Sequence, residues 1–219
     1  MYSERQSIHL MFETKLRTKI SKILFPFAQK MASLGITANT ITLLGLFVNL
    51  MAAFCLATGR LVLAGILILF GGSFDMMDGA VARTKAIDNS SGALLDSVID
   101  RYSEAIVFLG ALIYFYHLQN LSGVILVFVS VIGSILVSYV RARAEGLQIE
   151  CNVGLMQRPE RIVLLAFGLL AQGLMPTRFE FLRSGRLVLI TIFGILAVTS
   201  HITAIHRLVF SFYELSNHR

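Results

Sequence analysis

Six apolar runs leave this chain very few folds. They cover roughly residues 39–58, 61–82, 92–117, 121–143, 161–176 and 187–206, each near the about 20 residues that carry a helix across a bilayer core. Inside lipid every backbone amide needs an internal partner, so runs of this length close as helices rather than as open strands. The expectation is an all-α protein: an integral membrane bundle of six transmembrane helices over residues 39–219. Residues 1–38 precede it as a cytoplasmic juxtamembrane segment. With 56% hydrophobic residues and a mean hydropathy of +0.75, composition agrees. Tryptophan is absent, so any interfacial aromatic belt falls to Tyr and Phe.

The net charge of +6 matters through its distribution. In the six-span arrangement Arg60, Arg178, Arg183 and Arg186 fall in loops on one side, and the other 15 of the 19 Lys and Arg fall on the opposite side or its membrane edge. Positive-inside bias then puts both termini in the cytoplasm of a cell (inner) membrane. No basic patch with aromatic interleaving stands outside the spans, which excludes nucleic acid as a partner. Cys55 lies within the first span and Cys151 in a cytoplasmic loop, so the two cannot meet. Residues 1–30 are polar and basic with no early apolar core, and no cleavable signal peptide is expected there. Over 5–34, basic residues interleave with Phe12, Leu16, Ile20, Ile23, Leu24 and Phe27, a spacing that keeps one helical face apolar. That pattern predicts an amphipathic helix on an anionic leaflet, kinked or broken at Pro26. The same charges also serve as an ordinary flank that sets topology.

All five aspartates lie within the 26 residues 75–100, between strongly apolar runs, and four of them, Asp75, Asp78, Asp96 and Asp100, fall into two spaced pairs. Asp75 and Asp78 are three apart and Asp96 and Asp100 four apart, so each pair shares a helical face. Charge at a membrane edge must be neutralised, and two such faces meeting would make a carboxylate nest suited to hard divalent cations, magnesium above all. Gly79 and Gly92 lie beside the acids at a cost of about 1 kcal/mol each relative to alanine, which lets a ligand approach the backbone. Arg83 is placed for a phosphate held by the same metals. The alternative is a set of membrane-edge charges with glycines for helix packing.

Asp75-x-x-Asp78-Gly79-x-x-Ala82-Arg83, eight residues, then Gly92-x-x-x-Asp96-x-x-x-Asp100 resembles the signature of the CDP-alcohol phosphatidyltransferase family. The resemblance implies that Asp75, Asp78 and Asp96 are the principal ligands of two ions, magnesium or manganese. It makes Asp100 the catalytic base and an additional ligand, and has Gly79 and Arg83 hold the diphosphate of a CDP-linked lipid. It places Asn39 and Thr42 against the cytidine nucleotide and Asn89 near the donor phosphates. The family usually has proline where this chain has Ala38, which loosens the start of that helix. Simple capping by Thr37 or Asn39 accounts for the same residues. Homodimers are implied by the family alone.

A second constellation spans 138–161. Arg141 and Arg143 leave span four, and Arg158 and Arg161 open span five, with Pro159 suited to its first turn. Read as topology signals, these are four inner-side charges. Read chemically, arginine forks match phosphate oxygens, and the segment is similar to that of phosphatidylinositol phosphate synthases, except that Arg141 stands where lysine is common. Arg101 and Glu104 are spaced for a supporting (i, i+3) ion pair, Asp88 reads as a solvated loop charge, and His117, His201 and His206 read as interfacial.

The function expected is transfer of the phosphatidyl group of CDP-diacylglycerol to a small phosphorylated polyol, inositol 1-phosphate, with release of CMP at a cytoplasm-facing site. Glycerol 3-phosphate is the rival acceptor, which would make a phosphatidylglycerophosphate synthase. From another class, the acids could form the transport site of a divalent-cation transporter, although such acids belong at mid-membrane. Asp75, fifteen residues past Arg60, would lie about 22 Å along a helix, toward the inner face. A non-catalytic membrane scaffold is a third reading.

Overall fold

The computed structural model describes residues 37–84, 90–176 and 186–217, with Lys30 and Ser33; at 75, 76 and 78–84 the description is of the backbone. The amphipathic segment expected over 5–34, those two residues aside, and the expected loop site Asn89 lie outside the described residues. Those described form six long helices and no strand: α1 Ala38–Ala57, α2 Leu61–Thr84, α3 Ser90–His117, α4 Leu121–Glu145, α5 Arg158–Gly173 and α6 Leu187–Asn217. Five of the six runs are matched to within a few residues at both ends. The sixth helix continues eleven residues beyond the expected end, to Asn217.

Length and apolarity suffice for crossing a membrane in three helices, α1, α4 and α6. The other three fall short for visible reasons. The uncharged part of α2 stops at Phe74, where the acids begin, α3 carries Asp96, Asp100, Arg101 and Glu104 along its length, and α5 has only 16 residues. The surface agrees with a lipid environment: Phe128, Ile135 and Tyr139 on α4 and Ile205, Val209 and Phe212 on α6 are all exposed, which an aqueous surface would not favour.

The chain divides into two compact units. One takes the residues up to Phe47 together with Gly71–Asp100, and the other takes Val48–Phe70 and Arg101–Arg219. In the first, Thr37 caps α1: the Thr40 amide donates to Thr37 Oγ1 at 3.3 Å and to its carbonyl at 3.1 Å. Capping therefore rests on Thr37 and leaves the Asn39 side chain out of it.

The second unit holds the main core. Phe108, Phe115 and Phe193 meet edge to face, with Phe193 5.9 Å from Phe108 and 6.0 Å from Phe115 between centroids, geometry that aromatic quadrupoles favour. Small residues let helices touch. A Cβ on Gly110 of α3 would stand 2.5 Å from the Ala53 carbonyl of α1, and one on Gly133 of α4 would stand 2.7 Å from His201 Nδ1 of α6, the kind of contact that drives helix association in lipid. His201, expected at an interface, is thus packed against α4, and its Nδ1 lies 2.9 Å from the Ala197 carbonyl.

Three helices end in the same way. After α1 the Arg60 amide reaches back to Cys55 O at 2.8 Å and Gly59 to Leu56 O at 3.0 Å, with Gly59 at φ 78°. Asn120 to Phe115 O with Gln119 at φ 52°, and Ile149 to Ala144 O with Gln148 at φ 63°, repeat the pattern after α3 and α4. This is the Schellman arrangement, which satisfies the last carbonyls of a helix. Asn120 then caps α4 through Oδ1, 2.8 Å from the Gly123 amide.

Candidate active site

The motif residues all belong to the first unit. Asp75, Asp78, Gly79 and Arg83 occupy the last turns of α2, as the spacing requires, while their side chains lie outside the described residues. Asp96 and Asp100 stand one turn apart in the first half of α3, both half-buried. Asp96 Oδ1 is buried and, among the described residues, accepts no hydrogen bond. A buried carboxylate oxygen without a donor is costly, and a hard cation is the partner that best offsets that cost. Among the described residues no three His, Cys, Asp or Glu side chains form a metal-holding group, and two of the four carboxylates in question lie outside that description. Thr42 is buried in α1 and donates to the Ala38 carbonyl at 3.1 Å. Asn39 is half-buried beside that first turn.

The arginines belong to the second unit, and they are not equivalent. Arg141 lies at the end of α4 and pairs with Glu145 at 2.8 Å in an exposed (i, i+4) contact, which is worth only a few tenths of a kcal/mol and yields easily to a stronger anion. Arg143 is exposed in the last turn of the same helix. Arg158 opens α5, with Pro159 in the first turn as expected, and lines a cavity of about 20 Å³ that Asn49, Ser103, Glu104 and Arg161 also line.

Arg161 departs from expectation. It is 2% exposed. Its Nε and Nη2 donate to the two oxygens of Glu104 at 2.6 and 3.0 Å, and Nη1 donates to the Met156 carbonyl at 3.3 Å. A guanidinium so enclosed presents no fork to a phosphate. The expected (i, i+3) pairing of Arg101 with Glu104 is overturned by the same contact, because the fork of Arg161 matches both carboxylate oxygens at once.

One buried charged side chain went unforeseen. Arg207 of α6, 3% exposed, donates through Nε to Val153 O and through Nη1 to Val137 O, both at 2.8 Å. Thr203, one turn earlier, accepts from the Met156 amide at 3.1 Å. The loop 146–157 between Arg143 and Arg158 is thereby tied to α4 and α6. Gly154, at φ 132°, passes so close to Thr203 Cγ2 that no side chain would fit. The available signal was a lone arginine within an apolar helix, which demands partners.

Residues 35–205, which include every candidate site residue, match the CDP-alcohol phosphatidyltransferase family. An archaetidylinositol phosphate synthase of Methanothermobacter thermautotrophicus is similar at 36% identity over 157 residues, 72% of this chain and 76% of the relative. Two solved structures of Mycobacterium tuberculosis phosphatidylinositol phosphate synthase share the architecture. The one with CDP-DAG bound gives a TM-score of 0.77 at 30% identity, covering 87% of this chain and 94% of that one. The complex with manganese and citrate gives 0.75 at 29% identity, covering 86% and 88%.

Proposed function

Because the chain belongs to the CDP-alcohol phosphatidyltransferase family, we propose that it transfers the phosphatidyl group of CDP-diacylglycerol to inositol 1-phosphate, giving phosphatidylinositol phosphate and CMP. The observation that carries this reading is the eight-position acidic motif on α2 and α3. The acceptor is supported by the relatives, which differ in the lipid they are named for and share an inositol phosphate product. Membership in an enzyme family sets aside the transporter and scaffold readings of the acids.

The residues divide the work. Asn39 and Thr42 bind the cytidine end of the donor, and Gly79, Arg83 and Asn89 hold its diphosphate. Asp100 takes the proton from the acceptor hydroxyl. The hydroxyl oxygen then bonds to the lipid-side phosphorus as the bond from that phosphorus to the bridging oxygen breaks, and CMP leaves with that oxygen. Two divalent cations, magnesium or manganese, would be held by Asp75, Asp78 and Asp96 with Asp100 alongside, and would supply charge neutralisation on the diphosphate when bound. Arg141, Arg143 and Arg158 take the acceptor phosphate. Arg161 supports them through its pair with Glu104, in place of the direct contact expected of it. Six membrane crossings, a cytoplasmic face for the acids, a single catalytic domain over 39–219 and a homodimer complete the reading.

A panel assay tests it. With labelled CDP-diacylglycerol, product should form with inositol 1-phosphate and be at least tenfold lower with glycerol 3-phosphate, unphosphorylated inositol or serine. Turnover with glycerol 3-phosphate alone defeats the acceptor assignment.

A further inference from the structure

The chain reversals at one end of the second unit enclose an open cavity of about 840 Å³, formed without any residue of the acidic motif. The turn Thr58–Arg60 supplies one wall, the end of α3 at Tyr114 and His117 another, and Arg186 a third, with the end of α5 between them. Arg60, Arg186 and His117 line it, and among its described lining residues there is no acid. Charge of one sign around a recess concentrates the opposite sign within it.

Both arginines are held in place by backbone geometry. Arg60 closes the Schellman turn after α1, and its own carbonyl accepts from the Ala64 amide at 3.0 Å, so it stands at the N-cap of α2. Arg186, at φ 53°, does the same for α6, its carbonyl accepting from Ile190 at 3.0 Å. Its guanidinium carbon lies 6.0 Å from the ring centroid of Tyr114, within cation–π range. The first turn of α2, Leu61 to Leu63, also lines the cavity, and the amides of a first turn add partial positive charge. Leu63 and Leu118 are exposed on the same lining, so apolar surface adjoins the cationic wall. A cavity of this size with few, convergent polar groups has the character of a ligand site.

We propose that this cavity binds the phosphate of an anionic phospholipid head group, the acyl chains lying along Leu63 and Leu118. On the six-span reading above, it opens to the outer leaflet.

The test uses the full-length protein in an uncharged detergent, with thermal unfolding read while CMP and magnesium are held saturating. Dihexanoyl phosphatidylglycerol should raise the unfolding temperature by several degrees, and dihexanoyl phosphatidylcholine should raise it far less. Arg60→Gln with Arg186→Gln should abolish the rise. Arg60→Lys with Arg186→Lys should keep part of it, which separates lost charge from lost folding. Inorganic phosphate reproducing the whole rise would identify a soluble anion as the source of the same chemistry. Equal shifts from both lipids, no shift from either lipid or phosphate, or a shift that survives the double Gln variant would overturn the proposal. The shift due to CMP alone reports on the proposed reaction. Labelling of Thr58→Cys by an impermeant maleimide in intact cells reports on the leaflet. The three readings can therefore fail separately.

Discussion

Arg161, with its partner Glu104, shows how a residue can look like a phosphate-binding group in a sequence and be architectural in the fold. Two charges, 2% and 9% exposed, satisfy each other through both carboxylate oxygens. Removing either leaves the other charge buried and unpaired, at a cost of about 3–5 kcal/mol, whereas replacing both with apolar residues of similar volume is often close to neutral. Glu104→Met and Arg161→Met should each lower the unfolding temperature markedly, and the double variant should recover most of the loss. Thermal unfolding of the three variants checks this. Asp100 should behave differently, because the proposed mechanism assigns it proton transfer. Asp100→Asn should reduce turnover by about 10²–10⁴-fold while the shift in unfolding temperature on adding CMP with magnesium survives. Turnover near the parent value would remove Asp100 from the base role.

At the scale of elements, the six helices owe their limits to end chemistry as much as to apolar length. Gly59, Gln119 and Gln148 occupy equivalent left-handed positions after α1, α3 and α4, but only the first is glycine. A left-handed residue with a Cβ costs about 1–2 kcal/mol, so Gln148→Gly should stabilise the protein by about 1 kcal/mol with activity unchanged, as denaturant titration would show. A loss of stability would mean that the Gln148 side chain makes a compensating contact. Helix α6 outruns its expected end at 206 because Arg207, which marks a boundary when read as a charge, is satisfied internally by Val137 O and Val153 O. The helix continues past it to Asn217.

For the molecule as a whole, the acids and the arginines make opposite demands. On the proposed mechanism the carboxylates of one unit hold cations, and Asp96 Oδ1 accepts no hydrogen bond among the described residues, while Arg141, Arg143 and Arg158 of the other take the acceptor phosphate. Chelating divalent cations should therefore abolish turnover and also the stabilisation by CMP, and added magnesium or manganese should restore both. Turnover that persists under chelation would detach the acidic motif from metal chemistry. The arginines at 141, 143 and 158 govern acceptor binding in this scheme, so Arg158→Gln should raise the acceptor KM about tenfold or more and leave the CDP-lipid KM near its parent value. Steady-state kinetics with each substrate varied in turn would check the split.

Helix number, order and approximate ends were legible from the amino-acid sequence, because apolar run length and cap chemistry act along a few consecutive residues. The acidic motif was legible for the same reason: fixed spacing on a helix determines which side chains share a face. What the tertiary structure decided were pairings across long separations. Glu104 chose Arg161, 57 residues away, over its neighbour Arg101, and Arg207 took carbonyls 54 and 70 residues distant. The cavity lined by the turns after α1 and α3, the end of α5 and Arg186 has the same origin. A buried charge settles on whichever partner packing brings within hydrogen-bond reach, and that distance is not written in the local sequence.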